Sequence, residues 1–142
     1  MDSQHKDRIA EHLRVADGGF ELAKRLFTPD ADEFQLRAGY SRLYYAFFHV
    51  SAAFICSTGV IVERLEHGAI PGLLNSRLGH ACGIARQLQE LYRRRVEFDY
   101  EPDRIKGGFN SDIEELRREA ILLLQRAEKN FRWLYYEARK VL

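Results

Sequence analysis

The sequence predicts an all-α protein, an antiparallel bundle of four long helices plus one or more short helices. Apolar residues recur at steps of three and four over several long stretches, the period of one helix face. The run from Gly39 to Ile55 is apolar almost all the way round, as befits a helix at the centre of a bundle. No run reads as a strand, and there is neither an internal repeat nor a low-complexity segment.

Taken in order, the first helix runs from about Ser3 to Phe27, with Ile9, Leu13, Ala16, Phe20, Ala23 and Phe27 on its inner face. Gly18 and Gly19 interrupt it, and each lowers helix stability by up to about 1 kcal/mol relative to Ala, so a close neighbour or a kink is expected there. Thr28-Pro29-Asp30-Ala31-Asp32 is a turn, and Asp32 or a neighbour caps a second helix that ends near Ser57, before Gly59. The segment from Thr58 to Asn75 contains Gly59, Gly68, Pro71 and Gly72 without a sustained period. It reads as a long, partly ordered connection. A third helix is expected from about Ser76 to Arg95, burying Leu78, Ala81, Ala85, Leu88 and Leu91 or Tyr92. Gly107-Gly108 marks a turn, and Ser111-Asp112-Ile113-Glu114 has the form of a capping box that opens the last helix, which continues to about Leu142. Its inner side carries Ile113, Leu116, Ala120, Leu123, Leu124, Ala127, Phe131, Leu134 and Tyr135. The aromatics of Phe131-Arg132-Trp133-Leu134-Tyr135-Tyr136 exceed what one face buries, so some should meet a subunit or partner.

A chain of 142 residues makes one domain, residues 1–142, large enough for a helical core without metal or disulfide staples. With 22 Lys+Arg against 21 Asp+Glu the net charge is +1, so no whole-molecule field draws it to nucleic acid or an anionic membrane. A nucleic-acid site has to be a local patch. Cys56 and Cys82 lack CxxC spacing and read as reduced core thiols of a cytoplasmic protein. No apolar run approaches the roughly 20 residues that span a bilayer. No metal-ligand spacing and no Walker or dinucleotide loop is present, so neither a metal nor a cofactor is expected.

The chemistry concentrates in the second helix. Arg42 and His49 are its main polar interruptions. Seven residues of helix turn through about 700°, which sets the two side chains within about 20° of one face and about 10.5 Å apart along the axis. A guanidinium is a fixed fork of donors for phosphate, and an imidazole exchanges a proton near neutral pH. Together they suit metal-free RNA cleavage: the histidine handles the proton of a ribose 2′-OH or of the leaving 5′ oxygen, and the arginine offsets charge on the phosphorane. The alternative is structural, with Arg42 paired to an acid such as Glu63 or Asp99 and His49 bonded to a core tyrosine.

The run Ser41-Arg42-Leu43-Tyr44-Tyr45-Ala46-Phe47-Phe48-His49 resembles the second-helix signature of small HEPN-domain proteins, in a branch that reads close to Asn-Arg-x-Tyr-Tyr-Ala-x-Phe-His. Leu78-Gly79-His80-Ala81-Cys82-Gly83-Ile84 is similar to the opening of that branch's third helix, and Arg93-Arg94-Arg95-Val96-Glu97-Phe98-Asp99-Tyr100-Glu101-Pro102 to its Arg-x-x-Ala-Asp-Tyr-Asp-Pro segment. The resemblance implies a bundle of four to five helices, frequently a two-fold dimer, with an Arg-x4-6-His ribonuclease site that Arg42 and His49 match. Many such relatives are toxins encoded beside a minimal nucleotidyltransferase that neutralises them. Leu43 stands where catalytic members often carry Asn, Asp or His, and Ser51 where some carry a modified Tyr.

The expectation is a metal-independent endoribonuclease, the toxin half of a toxin–nucleotidyltransferase pair, acting on RNA as a homodimer. The competing expectation is a non-catalytic helical module that binds a nucleotidyltransferase or a nucleotide. Four further residues are candidates for substrate binding. Tyr45 and Tyr100 would stack a base. His80 would add a second imidazole or position substrate, and Arg93, in the run Arg93-Arg94-Arg95, would meet RNA or an acidic partner.

Overall fold

The structure is a computed structural model that describes residues 1–60, 66–79, 83–100 and 102–142, with the side chains of all of these except 67 and 102–112. Within them the chain is all-helical: α1 (Ser3–Leu26), α2 (Glu33–Ser57), a 3-10 turn (His67–Ala69), α3 (Ile70–Leu78), α4 (Ile84–Tyr100) and α5 (Pro102–Arg139). No helix among the described residues is long and apolar enough to cross a membrane.

Local chemistry fixes the first two helices. The Asp2 side chain accepts the His5 backbone N–H at 2.7 Å and opens α1. Asp32 and Gln35 form a reciprocal capping box at α2, each side chain taking the other's backbone N–H at 2.8 and 2.9 Å. The five-residue connection between Phe27 and Glu33 forces the helices to lie antiparallel, and cross-contacts show it. Phe27 faces Gly39, Gly19 faces Ala46, His12 meets His49, and the His5 ring meets the Cys56 carbonyl at 2.7 Å. A Cβ built on Gly19 would stand 3.3 Å from the Ala46 Cβ, so Gly19 is the close approach that the glycine pair led one to expect. Gly18 meets nothing within 4 Å.

α2 is the hub. It packs against α1, α3, α4 and α5, and only a narrow strip of it reaches solvent. α4 runs antiparallel to it, with Phe98 stacked on Tyr40 at 4.2 Å between ring centroids and Tyr92 against Tyr44 at 5.4 Å. α5 packs against both α2 and α1, and on α1 Phe131 stacks on Phe20 at 4.3 Å and Lys24 pairs with Glu128 at 3.4 Å. The inner faces expected for the first and last helices are the observed ones, except that Ile113, Leu116 and Tyr135 are half-buried. Phe131 is buried while Trp133 and Tyr136 expose 43% and 65% of their surface.

Three expected boundaries are corrected. The connection placed at Thr58 to Asn75 contains the start of α3, because Pro71 sits in its first turn and begins a helix rather than breaking one. The helix expected from Ser76 to Arg95 is two: α3 ends where Gly79 turns to φ +80° and its N–H closes on the Asn75 carbonyl at 2.8 Å, and Gly83, at φ +73°, precedes α4. Left-handed backbone of this kind cannot continue an α-helix. The last helix does not open at Ser111. It starts at Pro102 and runs through Gly107 and Gly108, a penalty of about 1 kcal/mol each that a long helix absorbs.

Two glycines give opposite expectations. A Cβ on Gly39 would lie 2.3 Å from the buried Phe27 ring, itself wedged against Tyr40. Gly39→Ala should therefore destabilise by about 1–3 kcal/mol despite the better helix propensity of Ala. Gly18→Ala should stabilise by about 0.5–1 kcal/mol. Denaturant unfolding of both variants checks the pair, and a Gly39→Ala protein as stable as wild type would contradict the packing.

Candidate functional site

The solvent strip of α2 carries Arg42, Tyr45 and His49, and α1 supplies the opposite wall. Together they bound a groove of about 490 Å³, with Arg14, Val15 and Gly18 across from the three α2 residues. The groove is open to solvent, and Gly19, which lets α1 approach α2 closely, lies on its wall. A second recess of about 440 Å³ continues from Val15 and His49 toward Asp7, Arg8, Glu11 and His12. His49 belongs to both.

Arg42 is exposed, and among the described residues it has no ion pair or side-chain hydrogen bond. Of the acids that a structural role would recruit, Asp99 is taken by Arg95 at 3.2 Å, while Glu63 lies outside the described residues. His49 is half-buried and meets a histidine: His12 Nδ1 and His49 Nδ1 stand 3.0 Å apart, with ring centroids at 5.3 Å and planes at 36°. One hydrogen bond joins them, so one ring donates and the other accepts. Burial holds the His12 imidazole below its usual range; the Arg8 charge adds to this and Glu11 opposes it. Arg14 is drawn to Glu11 at 2.5 Å in a pair exposed on both sides, which leaves Arg42 as the groove cation with no acid beside it among the described residues.

The candidate binding residues scatter. Tyr45 lines the groove beside Arg42 and His49. Tyr100 is exposed at the end of α4 and shares Arg95 with the groove wall, the guanidinium standing 4.9 Å from the Tyr45 ring centroid and 5.8 Å from that of Tyr100. Arg93 is exposed on α4 and does not line the groove. His80 lies outside the described residues. The arginine run divides, with Arg94 3.8 Å from Glu97 and Arg95 paired to Asp99. Sequence reasoning missed His12, which sits one position before the core residue Leu13 and one turn after Arg8. Its place at the margin of the buried face was readable; its partner, 37 residues away, was not.

Comparison with protein-family models, with curated proteins and with solved structures finds no match.

A group whose folded pKa is depressed for a cation binds fewer protons when folded than when unfolded. Stability then falls as pH drops through the unfolded imidazole value of about 6.5, toward the folded one. His12 is such a group. The melting temperature of wild type should fall between about pH 7 and pH 5 more steeply than that of His12→Asn, which has no imidazole to titrate; parallel melting curves in pH would show that His12 is not held neutral.

Proposed function

We propose that this chain is a HEPN-type, metal-independent endoribonuclease, the toxin half of a pair with a minimal nucleotidyltransferase. The observation that carries the reading is Arg42, exposed and without an acidic partner among the described residues, in the same open groove as the half-buried His49. An arginine in a structural role would be expected to hold an acid; one aimed at an open groove is suited to an external anion.

The chemistry follows from the two side chains. The His49 imidazole takes the proton of a ribose 2′-OH, and the 2′ oxygen attacks the adjacent phosphorus. The bond from phosphorus to the 5′ oxygen breaks, and that oxygen takes a proton from solvent. The products are a 2′,3′-cyclic phosphate and a 5′-OH, and Arg42 offsets the charge that grows on the non-bridging oxygens. Tyr45, on the groove wall, supplies an aromatic face for a neighbouring base. Two side chains on one helix are few to surround a scissile phosphate, and a two-fold axis near α2 would double them. A second reading, the non-catalytic module that binds a protein partner, draws on Leu122, Trp133 and Tyr136. All three are exposed on α5, and their spacings of 11 and 3 residues bring them within about 60° of one helix face.

Cleavage of RNA by the purified protein tests the reading. Arg42→Ala and His49→Ala should each lower turnover by about 10²-fold or more, with stability changed by about 1 kcal/mol or less. A loss of about 3–5 kcal/mol in Arg42→Ala would instead mark a stranded buried charge. Cleavage should survive EDTA and leave a cyclic phosphate, and RNA with a 2′-deoxy residue at the cut should be inert; loss on chelation restored by magnesium overturns the mechanism. Sedimentation at micromolar protein should give about twice the chain mass, and a strict monomer with and without RNA removes the composite site.

A further inference from the structure

We propose that His12 is the positioning residue of His49: its Nδ1 accepts the hydrogen bond from His49 Nδ1–H and so assigns proton exchange to His49 Nε2. This deepens the ribonuclease reading and rests on it for its kinetic consequence alone.

The geometry sets the terms. With the two Nδ1 atoms 3.0 Å apart there is room for one hydrogen between them. Two imidazolium rings would point both N–H groups at each other, so in this arrangement the pair holds a single added proton. Its location follows from the surroundings. On α1, His12 shares its recess with Asp7, Arg8 and Glu11, and Arg14 lies one turn further along, paired to Glu11. On α2, His49 has Arg42 and Tyr45 in its groove. Burial and the Arg8 charge, against the pull of Glu11, disfavour charge on His12, which favours the neutral His12 ring as the acceptor in the single hydrogen bond that the 3.0 Å contact allows. A neutral His49 that already donates from Nδ1 has its lone pair on Nε2, the form a general base needs. When Nε2 takes a proton, the new imidazolium is stabilised through the same bond, now charge-assisted. His12 thus fills the place that a carboxylate or carbonyl oxygen fills behind many functional histidines.

The test uses the full chain with 15N-labelled histidine. Long-range 1H–15N spectra between about pH 5 and pH 9 report which ring nitrogen of His49 carries hydrogen and where the ring titrates. Wild type should show the Nδ1–H form when neutral. His12→Asp, whose carboxylate reaches the same position as an anionic acceptor, should raise the His49 midpoint by about one unit or more, and His12→Phe should abolish the preference for Nδ1–H. An Nε2–H form in wild type, or one midpoint shared by all three proteins, overturns the proposal. In the cleavage assay His12→Phe should lower kcat by about 10- to 10²-fold with KM within about threefold. His12→Asp should recover most of that loss, with the rising limb of its pH profile moved upward. Equal loss in both variants also overturns it. Wild-type protein that cleaves no RNA removes the nuclease reading, and the nitrogen spectra then decide the histidine pair by themselves.

Discussion

Everything in this molecule is arranged around the need to bury α2. Fifteen of its 25 residues are buried, among them Tyr40, Tyr44, Phe47 and Ile55, and a surface that apolar has to be covered on nearly every side. α1, α3, α4 and α5 each take a sector of it. What is left open is the strip where α1 crosses closest, and that closeness comes from Gly19 set against Ala46. Arg42 and His49 therefore stand on the element with the most packed neighbours while facing a sector that the described residues leave uncovered. Their polarity is what kept that sector open, because a guanidinium without an acid cannot be packed away. A site built on a helix held from several sides keeps its geometry better than one carried by loops.

How far the sequence carried the fold depended on which interactions set each element. α1 and α2 are governed by local signals: a cap at Asp2, the Asp32 and Gln35 box, Pro29 between them. Both were legible almost to the residue. The region from Gly59 to Gly83 was not, since the same residue types both break and begin helices. Pro71 and Gly72 lie inside the first turns of α3, and only the backbone angles of Gly79 and Gly83 reveal which glycines are turns. Gly107 and Gly108 show the opposite error, a strong turn signal inside a helix. Ser111 matched a capping box for the same reason, because a side-chain pattern names a helix start only where the residues before it leave the helix.

The candidate site divides along the same line. Arg42 and His49 lie on one helix, and helical periodicity alone puts them on one face. Tyr45, between them, follows by the same count. His12 belongs to another helix, and its meeting with His49 depends on the antiparallel register of α1 on α2, which starts from the length of the turn and the fit of Gly19 to Ala46. No spacing within the chain encodes that register. The run Arg93-Arg94-Arg95 misleads in the other direction. Three adjacent cations look like one patch, yet successive helix positions point about 100° apart, so Arg93 reaches solvent while Arg94 and Arg95 turn to acids on their own helix.

Arg95 and Arg42 make the comparison that best separates structure from chemistry here. Arg95 keeps only 15% of its side chain exposed; its guanidinium lies 5.7 Å from the Tyr44 ring centroid and 4.9 Å from that of Tyr45. Its Nε stands 3.2 Å from an Asp99 oxygen, near enough for an ion pair yet without the alignment of a hydrogen bond. Charge, stacking and burial are thus all spent within the fold, and little remains to offer an external anion. Arg42 has none of these engagements among the described residues. Tyr45 joins the two, since it carries Arg95 at its ring and lines the groove that holds Arg42. Arg95, stacked on that tyrosine, helps to fix the groove wall, while Arg42 in the groove stays available to whatever enters. Two residues of one type, one stacked on Tyr45 and one lining the groove that Tyr45 borders, divide the work by the acids that the described residues place within their reach.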